Sequence, residues 1–324
     1  MKILPAAERP LRQALGLGPA LLACAERERA PWMTASVVRG PAVVLGAAQR
    51  AGRVVRLEAC AAAGVAVLRR ATAGTAVYVG ARGIVWTLAL PDVAALAPDA
   101  TMRTLLNRNV RGFLRGIREA GAVAHYFGRA WISVRKRPAA VMGFEVSPGG
   151  AVLLEVLAGI EAPPGVPEGL AADEERAVDR WLGKAPVGLG EAMGGDALGI
   201  ADAVMRAVAA RAGGPIEEVA SIEPIEPIEP PWAPIVTRAD DPMPKGFVAR
   251  PPVRVPIGWI DVGIESASGT AWLGGDVLAP AFVLRAIAAG VEDVGEVAVE
   301  GATVADLRGA RPRLERSEPP TAGS

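Results

Sequence analysis

The sequence predicts an α+β protein: a mixed, mainly antiparallel sheet flanked by helices, followed by a small α+β C-terminal domain. Three observations point there. Apolar, β-branched runs follow one another across short turns, which favours hairpins over helical crossovers. One strongly amphipathic helix, residues 101–120, separates two groups of such runs. The composition then changes at Gly213, where prolines replace the helical pattern.

Taken in order, residues 11–30 read as a helix. "TASVVRG" and "PAVVLG" are strands parted by the Gly40-Pro41 turn signal, and "VVRLEACAAAG" is helical up to Gly64. "VAVLRR", "TAVYVG" and "GIVWTLAL" read as three consecutive strands. In the helix over 101–120, Met102, Leu105, Leu106, Val110, Phe113, Leu114 and Ile117 share one face. Arg108, Arg111, Arg115 and Arg118 share the other, and Gly121 ends the helix. "AVAHYF", "AWISVRK", "AAVMGFEV" and "AVLLEVLAGI" give four more strands, and helices return at 171–183 and 197–212. This defines a first domain over 1–213. Residues 214–251 read as a linker, because the Ile-Glu-Pro triplet occurs three times from Ile222 to Pro230. Proline at every third position forbids helix and favours an extended form. Residues 252–312 form the small second domain (strand, turn, strand, helix, strand), marginal in size unless it docks on the first. Residues 313–324 read as a disordered tail.

Bulk properties exclude several function classes. The chain has 324 residues, is 51% hydrophobic and has a mean hydropathy of +0.29, so a sizeable core is within reach. Its 35 Lys and Arg balance 35 Asp and Glu, which argues against bulk binding to nucleic acid. Every long apolar stretch is broken by a charge or a proline, and the first residues lack the apolar segment of a leader, so we expect no membrane span. Cys24 and Cys60 read as small buried residues in a reducing, cytoplasmic setting rather than as a disulfide pair. His125, the single histidine, leaves no His-rich metal site and reads as structural. Trp86 and Trp131 read as core packing, with an acyl slot as the alternative.

The segment "VLRRATAGTAVYVGARGIVW" sets two arginines against a small-residue turn between strands. Consecutive inward N–H groups, permitted by glycine, together with arginine can cradle a phosphate or carboxylate. Read alone, the pattern is also that of a hairpin with a solvated mouth.

The order of motifs resembles the catalytic domain shared by lipoate–protein ligases, octanoyltransferases and biotin–protein ligases. "SVVRGPAVVLGAAQR" is similar to that family's early strand pair, ending in Gly46 and Gln49. "GVAVLRRATAGTAVYVGARGIVWTL" resembles its Arg-Arg-x-Ser/Thr-Gly-Gly-Gly-Ala-Val-Tyr signature. "YFGRAWISVRKRPAA" resembles its Gly-Arg-Asn-Asp segment and lysine motif. "GWIDVGIESASGTAWLGGDVLAPAFVLRAIAAG" is similar to the accessory domain of lipoate ligases. The resemblance covers the chain apart from the linker and tail, and it implies a fold like that of class II aminoacyl-synthetases and biotin ligases.

The resemblance also implies a chemistry. ATP, with Mg2+, activates lipoate or octanoate as an acyl-adenylate, and the acyl group passes to a lysine of an acidic lipoyl-acceptor domain. It makes Lys136 the catalytic lysine, and Arg70, Thr72, Gly74, Thr75, Tyr78 and Gly83 the substrate and nucleotide contacts. Gly275-Asp276 would close over the adenylate; as residues alone they read as a turn. In the same way the "RKR" around Lys136 reads as a solvated strand end, and the arginine face of 101–120 reads as the wet side of a helix, with docking of the acidic acceptor as the functional alternative. No cysteine is placed as a thiol nucleophile. The departures from the pattern are specific: Ala73 and Thr75 replace glycines, Val79 a histidine, Ala130-Trp131 the Asn-Asp pair, Ala139 a glycine and Leu154-Glu155 a His-Gly pair. Two readings follow, an adenylating ligase and a non-catalytic relative that keeps the fold as an acyl- or nucleotide-binding or scaffold protein.

Overall fold

In a computed structural model of the protein, residues 1–222, 241–297 and 299–311 are described. Eleven strands belong to the first 222 residues: β1 (Lys2–Glu8), β2 (Trp32–Arg39), β3 (Ala42–Leu45), β4 (Ala66–Arg69), β5 (Val77–Tyr78), β6 (Arg82–Leu90), β7 (Ala124–Tyr126), β8 (Trp131–Val134), β9 (Arg137–Val146), β10 (Val152–Gly159) and β11 (Glu217–Glu218). Eight of them form one sheet in the order β11-β1-β2-β6-β10-β9-β8-β7. β1 pairs in parallel with β2 and β11, and every other pairing in this sheet is antiparallel. A second small sheet, β4-β3-β5, carries the second strand of the early pair and the start of the arginine loop, while β2 lies in the large sheet.

β10 is buried along its whole length, which explains its near-continuous apolar sequence: helices cover both faces of the sheet. Helix α1 (Leu11–Glu28) lies on one face, with Leu11 and Leu15 against Val85 and Leu157. Six short helices follow: α2 (Ala51–Val54), α3 (Leu57–Ala62), α4 (Leu105–Asn109), α5 (Arg111–Glu119), α6 (Asp173–Arg176) and α7 (Leu189–Met193). α8 (Ala197–Ala209) covers the other face, where the Trp86 indole donates to the carbonyl of Ala201 at 3.0 Å. α5 packs on α8 through Gly116: a Cβ there would sit 2.6 Å from the Val204 Cα, so only glycine permits the approach.

The amphipathic helix is borne out in its faces and divided in its length. A 3-10 turn over Met102–Thr104 leads into α4 and α5, with Leu105, Leu106, Val110, Phe113 and Ile117 buried. Each such side chain contributes about 1.5–3 kcal/mol by leaving water. Elsewhere the sequence reading needs correction. β1 occupies residues that carried no strand signal, because Pro5 and three small or charged neighbours interrupt the alternation. The helix expected over 171–183 is one turn, α6, followed by irregular backbone.

β11 falls within the stretch read as linker, and so does the start of the first strand of the last sheet. That sheet consists of β12 (Phe247–Val255), β13 (Gly258–Glu265) and β14 (Ala271–Gly275), and it is antiparallel. Helices α9 (Ala281–Ala288) and α10 (Val304–Ala310) complete the second unit. The Ile-Glu-Pro triplets beyond Ile222 and the tail from 313 lie outside the described residues. The small unit does dock: Ile260, Leu278 and Val283 join the same apolar cluster as Met142 and Phe144 of the main sheet. Among the described residues, no helix is long and apolar enough to cross a membrane, and no cluster of three potential metal ligands occurs.

Candidate functional site: the signature loop and its cover

The loop from Arg70 to Ala76 leaves β4 and returns as β5, and its polar groups are turned inward. Arg69 donates through Nη1 to the carbonyls of Gly46, Ala47 and Gln49, at 2.9, 3.1 and 2.6 Å, closing the turn after β3. Arg70 is fully buried. Its Nε donates to Thr72 Oγ1 at 2.9 Å, and its Nη2 donates to the carbonyls of Ala73 and Thr75 at 3.3 and 3.0 Å. Thr72 in turn donates its hydroxyl to Glu155 Oε2 at 2.6 Å, so one hydroxyl links a buried cation to a buried anion. Burial lowers the Arg70 guanidinium to about 10, and the Glu155 charge resists that change. Burial also raises Glu155 above the usual carboxylate range, opposed by the Thr72 hydrogen bond and by Arg70.

The loop is pressed between neighbours. Ala73 donates its N–H to the Phe144 carbonyl at 3.0 Å, and a Cβ on Gly143 would lie 2.4 Å from Thr72 Oγ1. A Cβ on Gly46 would lie 2.0 Å from the Gly74 carbonyl oxygen. Gly74 has φ +116°, and a Cβ there would lie 3.0 Å from Arg70 Nη2 and 3.1 Å from Leu278 Cγ. Ala73 and Thr75 do not have positive φ, so the two missing glycines of the signature cause no backbone strain in this conformation.

What lies over the loop is the stretch from Asp276 to Ala281 of the C-terminal unit. Asp276 is fully buried and accepts from Gln49, from Trp259 N–H at 2.9 Å, and from Arg53 through Nη1 and Nη2 at 3.2 and 2.8 Å. Arg180 approaches it at 3.4 Å and is itself paired with Glu175. Arg53 Nε lies 2.7 Å from Asp261 Oδ1, so Arg53 and Arg180 hold two aspartates of the C-terminal unit. Burial opposes the Asp276 charge, but Arg180, Arg53 and Gln49 outweigh it and hold this carboxyl well below the usual range. Glu145, at the end of β9, has the opposite balance. Burial raises it to about 7, against the N–H groups of Ala281 and Val146 and the charge of Arg285. The Ala281 N–H opens α9, so Glu145 caps a helix of the other domain, where Pro280 offers no side-chain acceptor.

Four of the residues expected at the site are thus together: Arg70, Thr72, Gly74 and Thr75. The other three lie elsewhere. Tyr78 is half-buried on β5, among the residues packed around Val43 and Leu45. Gly83 is a packing glycine on β6, where a Cβ would meet the Ala158 carbonyl oxygen at 2.9 Å. Lys136 is exposed at the tip of the β8–β9 hairpin, a two-residue turn with φ +49° at Arg135 and +67° at Lys136. Among the described residues no contact joins Lys136 to the signature loop. Its neighbour Arg137 is the anchored one, donating to the carbonyls of Ala185 and Pro186 and pairing with Glu191 at 2.8 Å. Sequence reasoning missed Glu145, Glu155, Arg53 and Arg180. The signal available for the glutamates was a lone carboxylate in an apolar strand; for the arginines there was none.

Comparison with known proteins gives a match over part of the chain and a likeness of fold over most of it. The model described as the lipoyl protein ligase A/B catalytic domain matches residues 11–151. No curated protein matches the chain. Among solved structures, P. falciparum LipL1 in complex with lipoate superposes with a TM-score of 0.61 at 13% identity, over 85% of this chain and 84% of that one. T. acidophilum Ta0514 with bound lipoic acid gives 0.53 at 15%, over 67% and 88%. A lipoate-protein ligase A bound with ATP gives 0.51 at 14%, over 68% and 87%. At these identities the likeness is one of fold. Residues 11–151 therefore match the lipoyl protein ligase A/B catalytic-domain model, and the chain has the α+β fold of the lipoate–protein ligase structures.

Proposed function

We propose that this chain is a non-catalytic member of the lipoate-ligase fold, a binding or scaffold protein in which the loop that would cradle an adenylate serves as a packed joint between two domains. The observation that carries the reading is the state of Arg70. Its Nε and Nη2 donate to Thr72, Ala73 and Thr75, only Nη1 is left without a hydrogen-bond partner among the described residues, and the face of Gly74 is taken by Leu278 and by the Met142 carbonyl. A triphosphate does not fit a loop so filled. Two buried free thiols, Cys24 and Cys60, support a reducing, cytoplasmic setting.

The test is acid-dependent ATP–pyrophosphate exchange with lipoate, octanoate and biotin. The expected result is no exchange with any acid, and no rise in melting temperature with nucleotide. Exchange that disappears in Lys136→Ala would overturn the proposal.

Adenylating acyl transfer is the second reading. The family match favours it, as does the likeness over most of both chains to LipL1, whose structure holds lipoate. The T. acidophilum bipartite ligase described with its E2 lipoyl domain supports a lipoyl-acceptor partner in that case. This reading requires the stretch from Asp276 to Ala281 to leave the loop and the hairpin tip bearing Lys136 to reach it.

A further inference from the structure

The chain carries 35 cations and 35 anions, yet from 101 to 137 it has nine arginines or lysines and one carboxylate, Glu119. Three of these cations are paired: Arg108 with Asp99, Arg115 with Glu119 and Arg137 with Glu191. Arg111, Arg118, Arg135 and Lys136 are exposed and form no ion pair among the described residues. The fold gathers part of this set at one edge. α5 ends beside Gly121, and the Val123 carbonyl just beyond accepts the Arg135 N–H at 2.9 Å, tying the end of the helix to the hairpin tip.

That edge is also apolar. Strand alternation sets Val123, His125 and Phe127 on one side of β7. Val123 and Phe127 are 51% and 53% exposed, and Leu182, on the neighbouring turn, is 48% exposed. Lys184 lies 4.6 Å over the Phe127 ring, which also stacks on His125 at 5.6 Å. β7 is the last strand of the sheet, and among the described residues nothing pairs with its outer side. An open strand edge, exposed apolar side chains and unpaired cations are thus together in one place.

We propose that the β7 edge is a docking surface for an acidic protein segment, which adds a strand to β7 and sets its carboxylates against Arg118, Arg135 and Lys136. A polypeptide fits better than a nucleic acid. Val123 and Leu182 ask for apolar side chains, and the Phe127 ring already holds His125 and Lys184 instead of offering a free stacking face. None of the contacts of residues 70–76 involves this edge, so the proposal goes beyond the function proposed above; it requires only that the hairpin tip stay beside the end of α5, as the Arg135 N–H to Val123 carbonyl bond holds it.

The test uses the full chain and a fluorescein-labelled twelve-residue peptide of alternating Glu and Val, followed by anisotropy at low and high salt. The peptide is expected to bind, and to bind more weakly in high salt. In the double variant Arg118→Glu with Arg135→Glu, affinity falls at least tenfold; Phe127→Ala weakens it less. A central Val→Pro change in the peptide abolishes binding, because the added strand loses its ladder. Arg118→Gln with Arg135→Gln gives an intermediate loss and is the fallback if the charge reversal fails to fold. Absence of peptide binding, equal binding by the neutralised variant, or tighter binding of oligouridine or phosphatidylserine vesicles than of the peptide would each overturn the proposal.

Discussion

The signature loop and the tip of the β8–β9 hairpin are both built around cations, and the molecule treats them in opposite ways. Arg70 is fully buried, and its Nε and Nη2 are matched by carbonyls, a hydroxyl and, through that hydroxyl, a carboxylate. Lys136 is exposed, on a turn whose neighbours do the anchoring. The first arrangement is costly to disturb and gives solvent nothing; the second costs little to change and is available to a partner. A cationic motif can serve chemistry when its charge is left free in a sheltered place; Arg70 is sheltered with Nε and Nη2 engaged, and Lys136 is free but exposed.

The largest effect expected from this contrast is in Arg70→Ala. It leaves Glu155 buried without its cation and two carbonyls unpaired, so urea unfolding should report a loss of about 3–5 kcal/mol. A loss below about 1 kcal/mol would mean that Arg70 is not a structural group, and the contrast would fail.

Next comes pH. The folded-state value of Glu145, about 7, lies above that of an unfolded glutamate near 4.5. The native state therefore holds the extra proton between those values, and stability falls as pH rises through that window. The span is on the order of 3 kcal/mol. Melting temperature should decline from pH 5 to 8 in the parent chain and stay flatter in Glu145→Gln. Asp276 works in the other direction: its folded value is depressed, so its contribution is present above the unfolded aspartate value and is lost only as pH falls well below 4.

Gly74→Ala is expected to be smaller, about 1–2 kcal/mol, for a Cβ at positive φ. The added methyl also meets Leu278 and Arg70 at close range, so differential scanning calorimetry should show a lower melting temperature than in the parent. Lys136→Ala should change stability by less than about 0.5 kcal/mol. A larger loss in the same denaturation series would show that the hairpin tip is not free.

How much was legible beforehand follows from the same physics. The strands from β2 to β6 and from β7 to β10 stand out because long apolar, β-branched runs are punctuated by glycine. β1 does not, because its seven residues include Pro5 and its place inside the sheet depends on pairing with distant β2 and β11. The cluster of Arg70, Thr72, Gly74 and Thr75 was legible because these residues share one loop. Lys136 was placed with them by motif order, but its side of the turn is fixed by where β9 begins, and Arg135-Lys136 lacks the Asn-Gly signature that announces such a turn. The ion cluster at the domain interface was illegible because arginine is common throughout this chain and nothing local tells Arg53 or Arg180 from a surface arginine.

That cluster has a consequence for how the gene can drift. Arg53, Arg180, Asp261 and Asp276 close into one buried group drawn from both domains. Losing one member strands the opposite charge, so a single replacement at any of these four places should destabilise the fold, and a matched exchange of both partners should cost less. A chimaera that replaces the C-terminal unit alone would therefore fold poorly unless the incoming piece brings carboxylates to the places of Asp261 and Asp276.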